Sequence, residues 1–299
     1  MKIKQLISIA TDKSKFNTVE DYIEFSLKYL EYVEKNIQAI IVSQNENNYC
    51  FYQYAKEANF QITRPINTNL MLSIDNFEQI SKDYLYILEN VRNINKRKSF
   101  FRKVINNTTY TLQQSIGATL DALPAGKSNT ARKFNGDLFE NFIRLLLQRI
   151  GINCRSGVVK VPVKVQNKEI FKMSYQHDLI IERDEKIKII GSVKTSSKDR
   201  IDKIFIDKFL YNKLTETQTP HIAIFLNDVQ RKKTKKENKY GINSTFLPGH
   251  FKGYTIKLNP LDGVYYCDIR PNMKTEEILK DHIKTFDKLI ITDIWKLIK

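Results

Sequence analysis

Cysteine is scarce: Cys50, Cys154 and Cys267 stand alone and are odd in number. Isolated in this way, they form neither a disulfide framework nor a zinc site, and such usage suits a reducing compartment. Histidine is nearly as rare. His177, His221, His250 and His282 are scattered, with no metal-ligand spacing and no serine or cysteine arranged with them as a triad. No apolar run approaches the roughly 18 residues a membrane span needs. The opening, Met1 to Asp12, is charged and then briefly apolar, too short and broken for a secretory signal. We therefore expect a cytoplasmic protein without membrane association, in which the sequons at Asn106, Asn107 and Asn243 go unused. No internal repeat emerges.

Acidic residues are outnumbered, 33 against 49 lysines and arginines, which leaves a net charge of +16 and a pI near 9.5. Part of this reflects a chain rich in Asn, Ile and Lys, but an excess of this size points to a polyanionic partner, nucleic acid first. With 41% apolar and 11% aromatic residues among 299, the chain can bury one large core or two modest ones.

Apolar spacing predicts helices over residues 19–38, where Thr18 and Asp21 resemble a capping start, and over 74–94 and 96–123. A mainly helical N-terminal subdomain, residues 1–120, is expected to give support, a dimer surface or extra DNA contact. Gly126-Lys127-Ser128 ends like a phosphate-binding loop, but Asp121 stands where that loop needs its first glycine. A basic loop placing Lys127, Arg132 and Lys133 on DNA phosphates is the better reading. Asn135-Gly136-Asp137 then opens a helix that Gly151 stops. Glu140 in its first turns is either a charge aligned with the helix dipole or a carboxylate brought toward a metal.

Beyond it, residues 156–176 predict strands turning at Asn167-Lys168. The chain then offers its most informative stretch: His177-Asp178-Leu179-Ile180-Ile181, the polar turn Glu182 to Glu185, and Lys188 to Lys194. These read as two apolar strands. Alternation puts Ser192 and Lys194 on one face, and pairing as a hairpin lets Asp178 and Lys194 converge. Alone, such a pair is a solvated surface contact. Beside a basic surface it is what metal-assisted phosphodiester cleavage requires, since a carboxylate holds a hard cation and a lysine orients or activates water. A helix through Ile201 to Leu214, a buried strand at 221–226, strands near 253–258 and 263–269, and a terminal amphipathic helix from Ile278 to Trp295 are expected to complete an α/β domain. The run Arg231 to Lys236 is either a solvated surface or a phosphate contact. Phe246 to Gly253 reads as a loop.

Glu140, Asp178 and Ser192-Val193-Lys194, in that order on helix, strand and strand, resemble the PD-(D/E)xK nuclease superfamily and within it the type II restriction endonucleases. His177 stands in place of the usual proline and Ser192 in place of an acid. The branch that reads CCGG, CCNGG and related sites has the same Ser-x-Lys and recovers the lost carboxylate from the following helix, thirteen or fourteen residues beyond the lysine. Asp207 holds that place here as a shorter substitute for glutamate, with Asp202 and Asp199 nearby. The branch also carries an Arg-(Asp/Glu)-Arg type motif where this chain has Lys198-Asp199-Arg200. Independently of the resemblance, arginine can donate twice to guanine and a carboxylate can accept from cytosine N4.

The resemblance implies a restriction-endonuclease-like core over residues 121–299, a central mixed sheet flanked by helices. It implies Mg2+ as cofactor, with Mn2+ able to replace it, held by Asp178, Asp207 and Glu140. Lys194 is the implied catalytic lysine, and Ser192 lies beside the DNA backbone. The partners it implies are double-stranded DNA, a second copy in a homodimer (or tetramer), and a cognate methyltransferase. A structure-directed repair or junction nuclease on the same core and a non-catalytic basic DNA-binding protein are the competing readings.

Overall fold

Thr18 begins the first long helix as expected: its hydroxyl accepts the Asp21 N–H, and the Asp21 carboxylate accepts the Thr18 N–H. The computed structural model describes residues 1–55, 62–96, 98–198, 200–232 and 239–299. Contacts divide it into two compact units, Met1–Leu146 with Asp228–Thr245, and Leu147–Asn227 with Phe246–Lys299.

The first unit contains α1 (Ile3–Ala10), α2 (Val19–Asn36), α3 (Ile74–Glu89), α4 (Ser99–Leu120) and most of α5 (Ser128–Arg149). It also has an antiparallel sheet of β1 (Ile37–Val42), β2 (Tyr49–Tyr54) and β3 (Ile66–Asn67). From Val104 to Leu120, α4 is buried on all sides although much of it is polar. Some of its polar groups bond internally: Ser115 Oγ donates to the Thr111 carbonyl at 2.8 Å, and Gln113 Nε2 to Asn135 Oδ1 at 2.9 Å, while Thr108 Oγ1, Gln113 Oε1 and Gln114 Oε1 find no hydrogen-bond partner among the described residues. Asn135 is thus a core residue. The helix expected to open there begins instead at Ser128, which carries Arg132 and Lys133 on exposed helical turns rather than in a loop. Hydrogen bonds from Tyr22 Oη to the Leu138 carbonyl and from Asn141 Nδ2 to the Phe16 carbonyl keep early α5 with α2. The compact units therefore divide at residues 146/147 and not at 120/121.

In the second unit, the strands β4 (Cys154–Val165), β5 (Lys168–Arg183) and β6 (Lys186–Ser196) are antiparallel neighbours. Helix α6 (Ile201–Thr215) crosses to β7 (His221–Asn227), parallel to β6. Before the sheet resumes, β8 (Val229–Lys232) and β9 (Gly241–Ser244) form a hairpin belonging to the first unit, where Val229 and Ile242 pack on Tyr49 and Phe51. Of the basic run, Arg231 and Lys232 are on β8; Lys233 to Lys236 lie outside the described residues.

Helix α7 (Pro248–Lys257) occupies the places expected to be a loop and a strand. Pro248 fits a first helical turn, and packing decides the rest, with the Phe251 ring 5.5 Å from Phe205 of α6. The strand β10 (Gly263–Tyr266) follows. The expected terminal helix is interrupted because Ile283–Thr285 forms β11, parallel to β10, before helical turns resume at Phe286. Among the described residues the sheet order is β11-β10-β7-β6-β5-β4, parallel on one side and antiparallel on the other. Ile204 and Phe205 of α6 and Phe251 of α7 pack on Ala223, Phe225 and Val264. Strand β7 is buried throughout, as a central parallel strand should be. Among the described residues no helix is long and apolar enough to cross a membrane.

One ion pair in the first unit is held with unusual completeness. Asp121 accepts Arg64 Nε at 2.9 Å, Nη2 at 2.8 Å and the Arg64 N–H at 2.6 Å. A Cβ on Gly117 would lie 2.3 Å from Arg64 Nη1, so only glycine lets the guanidinium lie against α4. Asp121→Ala leaves that cation without its partner and is expected to cost about 3–5 kcal/mol of stability, read from urea unfolding. A loss below about 1 kcal/mol would mean that water serves Arg64 as well.

Candidate active site

The turn between β5 and β6 is shorter than the four residues expected: β5 continues to Arg183, and only Asp184 and Glu185 turn, both with positive φ, 52° and 60°. Pairing then runs Ile181 with Ile189, Ile180 with Ile190 and Leu179 with Gly191. This register brings Asp178 to the outgoing end of β6. Its Oδ2 accepts the Val193 N–H at 2.9 Å and Lys194 Nζ at 2.6 Å. The pair is sheltered, with 15% of the Asp178 side chain and 30% of the Lys194 side chain exposed. Oδ1 accepts no hydrogen bond among the described residues.

Asp178 sits in a β-bulge. Between the pairs Arg155–Ile180 and Gly157–His177, β4 advances two residues and β5 three, so β5 carries an extra residue at Asp178-Leu179. Opposite it Gly157 has φ 150°, a conformation that side chains rarely adopt. A bulge disturbs the alternation of faces and re-aims a side chain. Nothing in the hydrophobic pattern signals it.

His177 is a packing residue. Its ring stacks on Tyr175 at 5.9 Å and meets the edge of Tyr211, from α6, at 5.9 Å. Nε2 is buried and finds no hydrogen-bond partner among the described residues. Burial lowers the histidine pKa below its ordinary value, while Asp207 and then Asp178 oppose that shift. Two carboxylates therefore act on one imidazole, which brings the second turn of α6 within electrostatic reach of Asp178's neighbour. Asp207 also raises the Tyr175 pKa, after burial, and is itself paired with Lys203.

The remaining expected residues fall in several places. Ser192 is half-buried on β6, two residues before Lys194. Lys198 and Arg200 are exposed at the entry to α6. There the Lys198 N–H donates to Ser196 Oγ, and the Arg200 N–H to the Ser197 carbonyl, each at 3.2 Å. Asp199 lies outside the described residues. The Asp202 carboxylate faces His250 Nδ1 at 3.3 Å. Glu140 is half-buried on α5 in the first unit; in the same unit Lys127, just before α5, and Arg132 and Lys133, on it, are exposed.

Among the described residues no three His, Cys, Asp or Glu side chains converge as a metal-binding group. The donors present are nevertheless of the right kind for a hard cation. Asp178 keeps one oxygen open, Asp207 offers a second carboxylate on α6, where it pairs with Lys203, and Mg2+ commonly takes only one or two carboxylates, completing its shell with water and phosphate. Neither sulfur nor an available imidazole competes.

Among solved structures, the crystal structure of the type IIP restriction endonuclease Kpn2I is similar over 99% of this chain and 97% of that one, at 17% identity and a TM-score of 0.73. The complex of restriction endonuclease PspGI with substrate DNA covers 74% of this chain and 90% of that one, at 13% identity and a TM-score of 0.46, too low to bear on the fold. No protein-family model and no curated protein matches the chain. The likeness to Kpn2I establishes a restriction-endonuclease-like fold, with the mixed sheet and flanking helices expected.

Burial beneath the site makes stability depend on pH. His221 lies 5.5 Å from Tyr211. Its pKa is lowered to about 4 by burial, with Lys208 and His177 adding to the shift and the Thr219 carbonyl and Asp262 opposing it. The unfolded chain then binds the proton more readily than the folded one. This contribution is complete above about pH 6.5 and is lost as pH falls toward 4, a decline of about 3 kcal/mol. His221→Gln is expected to flatten the Tm profile between pH 6.5 and 4; an unchanged slope would assign the dependence elsewhere.

Proposed function

We propose that the chain is a Mg2+-dependent type II restriction endonuclease that hydrolyses duplex DNA at a site containing GG/CC. The observation carrying this reading is the Asp178–Lys194 contact of 2.6 Å at the bulged end of two paired strands. The fold shared with Kpn2I and the net charge of +16 support it.

In this proposal Asp178 and Asp207 hold Mg2+. Mn2+ would serve in its place. When bound, the cation supplies Lewis-acid polarisation of the scissile phosphate and a lower pKa for the attacking water. Lys194 donates hydrogen bonds to orient the water and stabilises the negative charge that develops on the phosphate oxygens. Asp178 holds Lys194 in place, and the Val193 N–H holds Asp178 in place. His177 is packed against Tyr175 and Tyr211.

Arg200 and Lys198 donate to guanine O6 and N7, and Asp199 accepts from cytosine N4. Lys127, Arg132, Lys133 and Ser192 contact the backbone and carry no sequence information. Cutting both strands of a palindrome calls for a symmetric homodimer, or a tetramer built from it. A cytoplasmic enzyme of this kind also needs a methyltransferase that protects the host's own sites.

The test is digestion of a long unmethylated duplex with Mg2+, with sequencing of the ends. The wild type is expected to give discrete cuts at one palindrome. Asp178→Ala and Lys194→Ala are expected to lose cleavage by about 100-fold or more while still binding DNA, and Asp207→Ala to lose most of it. Metal-independent binding without cutting would turn the assignment to a DNA-binding protein, and cutting confined to junctions to a repair nuclease. Arg200→Ala is expected to cost about 1–3 kcal/mol of discrimination at a single base pair. A loss spread evenly over all sequences would make it a phosphate contact.

A further inference from the structure

The β4–β5 hairpin does more than form a sheet edge. Its pairing continues from Gly157–His177 out to Val165–Lys168, whereas the β5–β6 ladder reaches only to Leu179. The outer stretch is therefore a two-stranded ribbon running past the sheet. It closes at Gln166-Asn167, with φ 49° and 62°, one residue before the turn expected from sequence.

Its two faces differ. Val159, Val161 and Val163 stand opposite Tyr175, Met173 and Phe171. The base of this apolar row packs on Leu210, Tyr211 and Leu214 of α6. The other face carries Lys160, Pro162 and Lys164 from β4, with Ser174 and Lys172 opposite the first two. All three lysines are exposed. Among the described residues none of them has a carboxylate or any other hydrogen-bond partner. Glu169 lies across from Lys164 in the ladder but makes no ion pair. Elsewhere on the surface, Lys28, Lys82, Lys203 and Lys252 each hold an acid.

A hairpin alone is marginally stable in water, and like charges on one face weaken it further. The apolar row against α6 holds this face together, and a polyanion would relieve it. Lys160 and Lys164 are four residues apart on one strand, about 13 Å, comparable to about four base-pair steps of duplex DNA. A two-stranded ribbon is also narrow enough for the major groove. Two copies meeting by this face would oppose lysine to lysine.

We propose that the β4–β5 ribbon is a DNA arm whose Lys160, Lys164 and Lys172 lie along duplex phosphates. This rests on the reading of the chain as a DNA nuclease and adds a backbone contact separate from the catalytic pair.

The test is the salt dependence of binding by the full chain, without Mg2+, to a fluorescent duplex of random sequence. Each lost phosphate contact lowers the slope of log affinity against log salt by about 0.9. The variant Lys160→Ala/Lys164→Ala/Lys172→Ala is therefore expected to lower it by about 2.7. The corresponding triple arginine variant keeps the slope, and equal thermal melting of all three proteins shows that the fold is intact. A wild-type slope in the alanine variant, from a protein that still binds and cuts DNA, overturns the arm and leaves the nuclease standing. No binding or cutting by the wild type overturns the nuclease reading and the arm with it. A fall from dimer to monomer in sedimentation, with the slope unchanged, makes the ribbon a contact between copies and also overturns the proposal.

Discussion

The Asp178 carboxylate accepts a main-chain N–H from Val193 and the Lys194 ammonium on the same oxygen, and both bonds require one register of β5 against β6. A slip of one residue would turn every side chain of the strand to the opposite face, moving the buried row Leu179, Ile180 and Ile181 as well as the acid. The apolar core therefore enforces the register, and the register sets the polar geometry. The bulge at Asp178-Leu179 adds a local correction that regular alternation cannot supply. It lets one strand present an acid toward Lys194 while keeping Tyr175 and His177 in the layer beneath.

Helix α6 ties this layer to the rest of the second unit. Its entry carries Lys198 and Arg200, its second turn Asp207, and its later turns Tyr211 between His177 and His221. Lys208, buried, donates to the Pro260 carbonyl at 2.5 Å and to Asp262 at 2.7 Å, and Asp262 in turn accepts the His221 N–H. A single rigid helix thus joins the residues proposed to read DNA to the carboxylate proposed to hold the cation. The ribbon is anchored to the same helix through Leu210 and Leu214.

The first unit is built on a different principle. Its central helix α4 buries Thr108, Thr111, Gln113, Gln114 and Ser115; the groups among them that find partners, such as Gln113 Nε2 and Ser115 Oγ, add to apolar area in holding it, whereas Thr108 Oγ1 and Gln114 Oε1 find none among the described residues. The Arg64–Asp121 pair is the charged instance. A periodicity count finds that helix from its apolar positions, but it cannot say that the polar positions are buried too, because burial depends on what the neighbouring elements bring.

Much of the architecture was legible in the residues. The long helices followed from apolar spacing near 3.6, the paired strands from apolar runs bounded by turns, and the Asp178–Lys194 convergence from pairing two of those strands as a hairpin. Local chemistry decides those features, so a linear reading reaches them. Where the reading missed, long-range packing had won. Tyr254 to Lys257, strand-like by composition, is helical because Phe251 and its neighbours pack on α6. Ile283 to Thr285 leaves a helical pattern because β10 offers a free edge. Asn135 and Gly136, turn-formers by themselves, lie within a helix because Gln113 bonds Asn135 in the core. By itself the sequence determined the long N-terminal helices, the strands of the Asp178–Lys194 hairpin, the basic character and the acid–lysine pair. Only the tertiary structure decided the bulge that aims Asp178, the inserted hairpin of residues 228–245, and the lysine face of the ribbon, since each depends on which strands become neighbours and in what register.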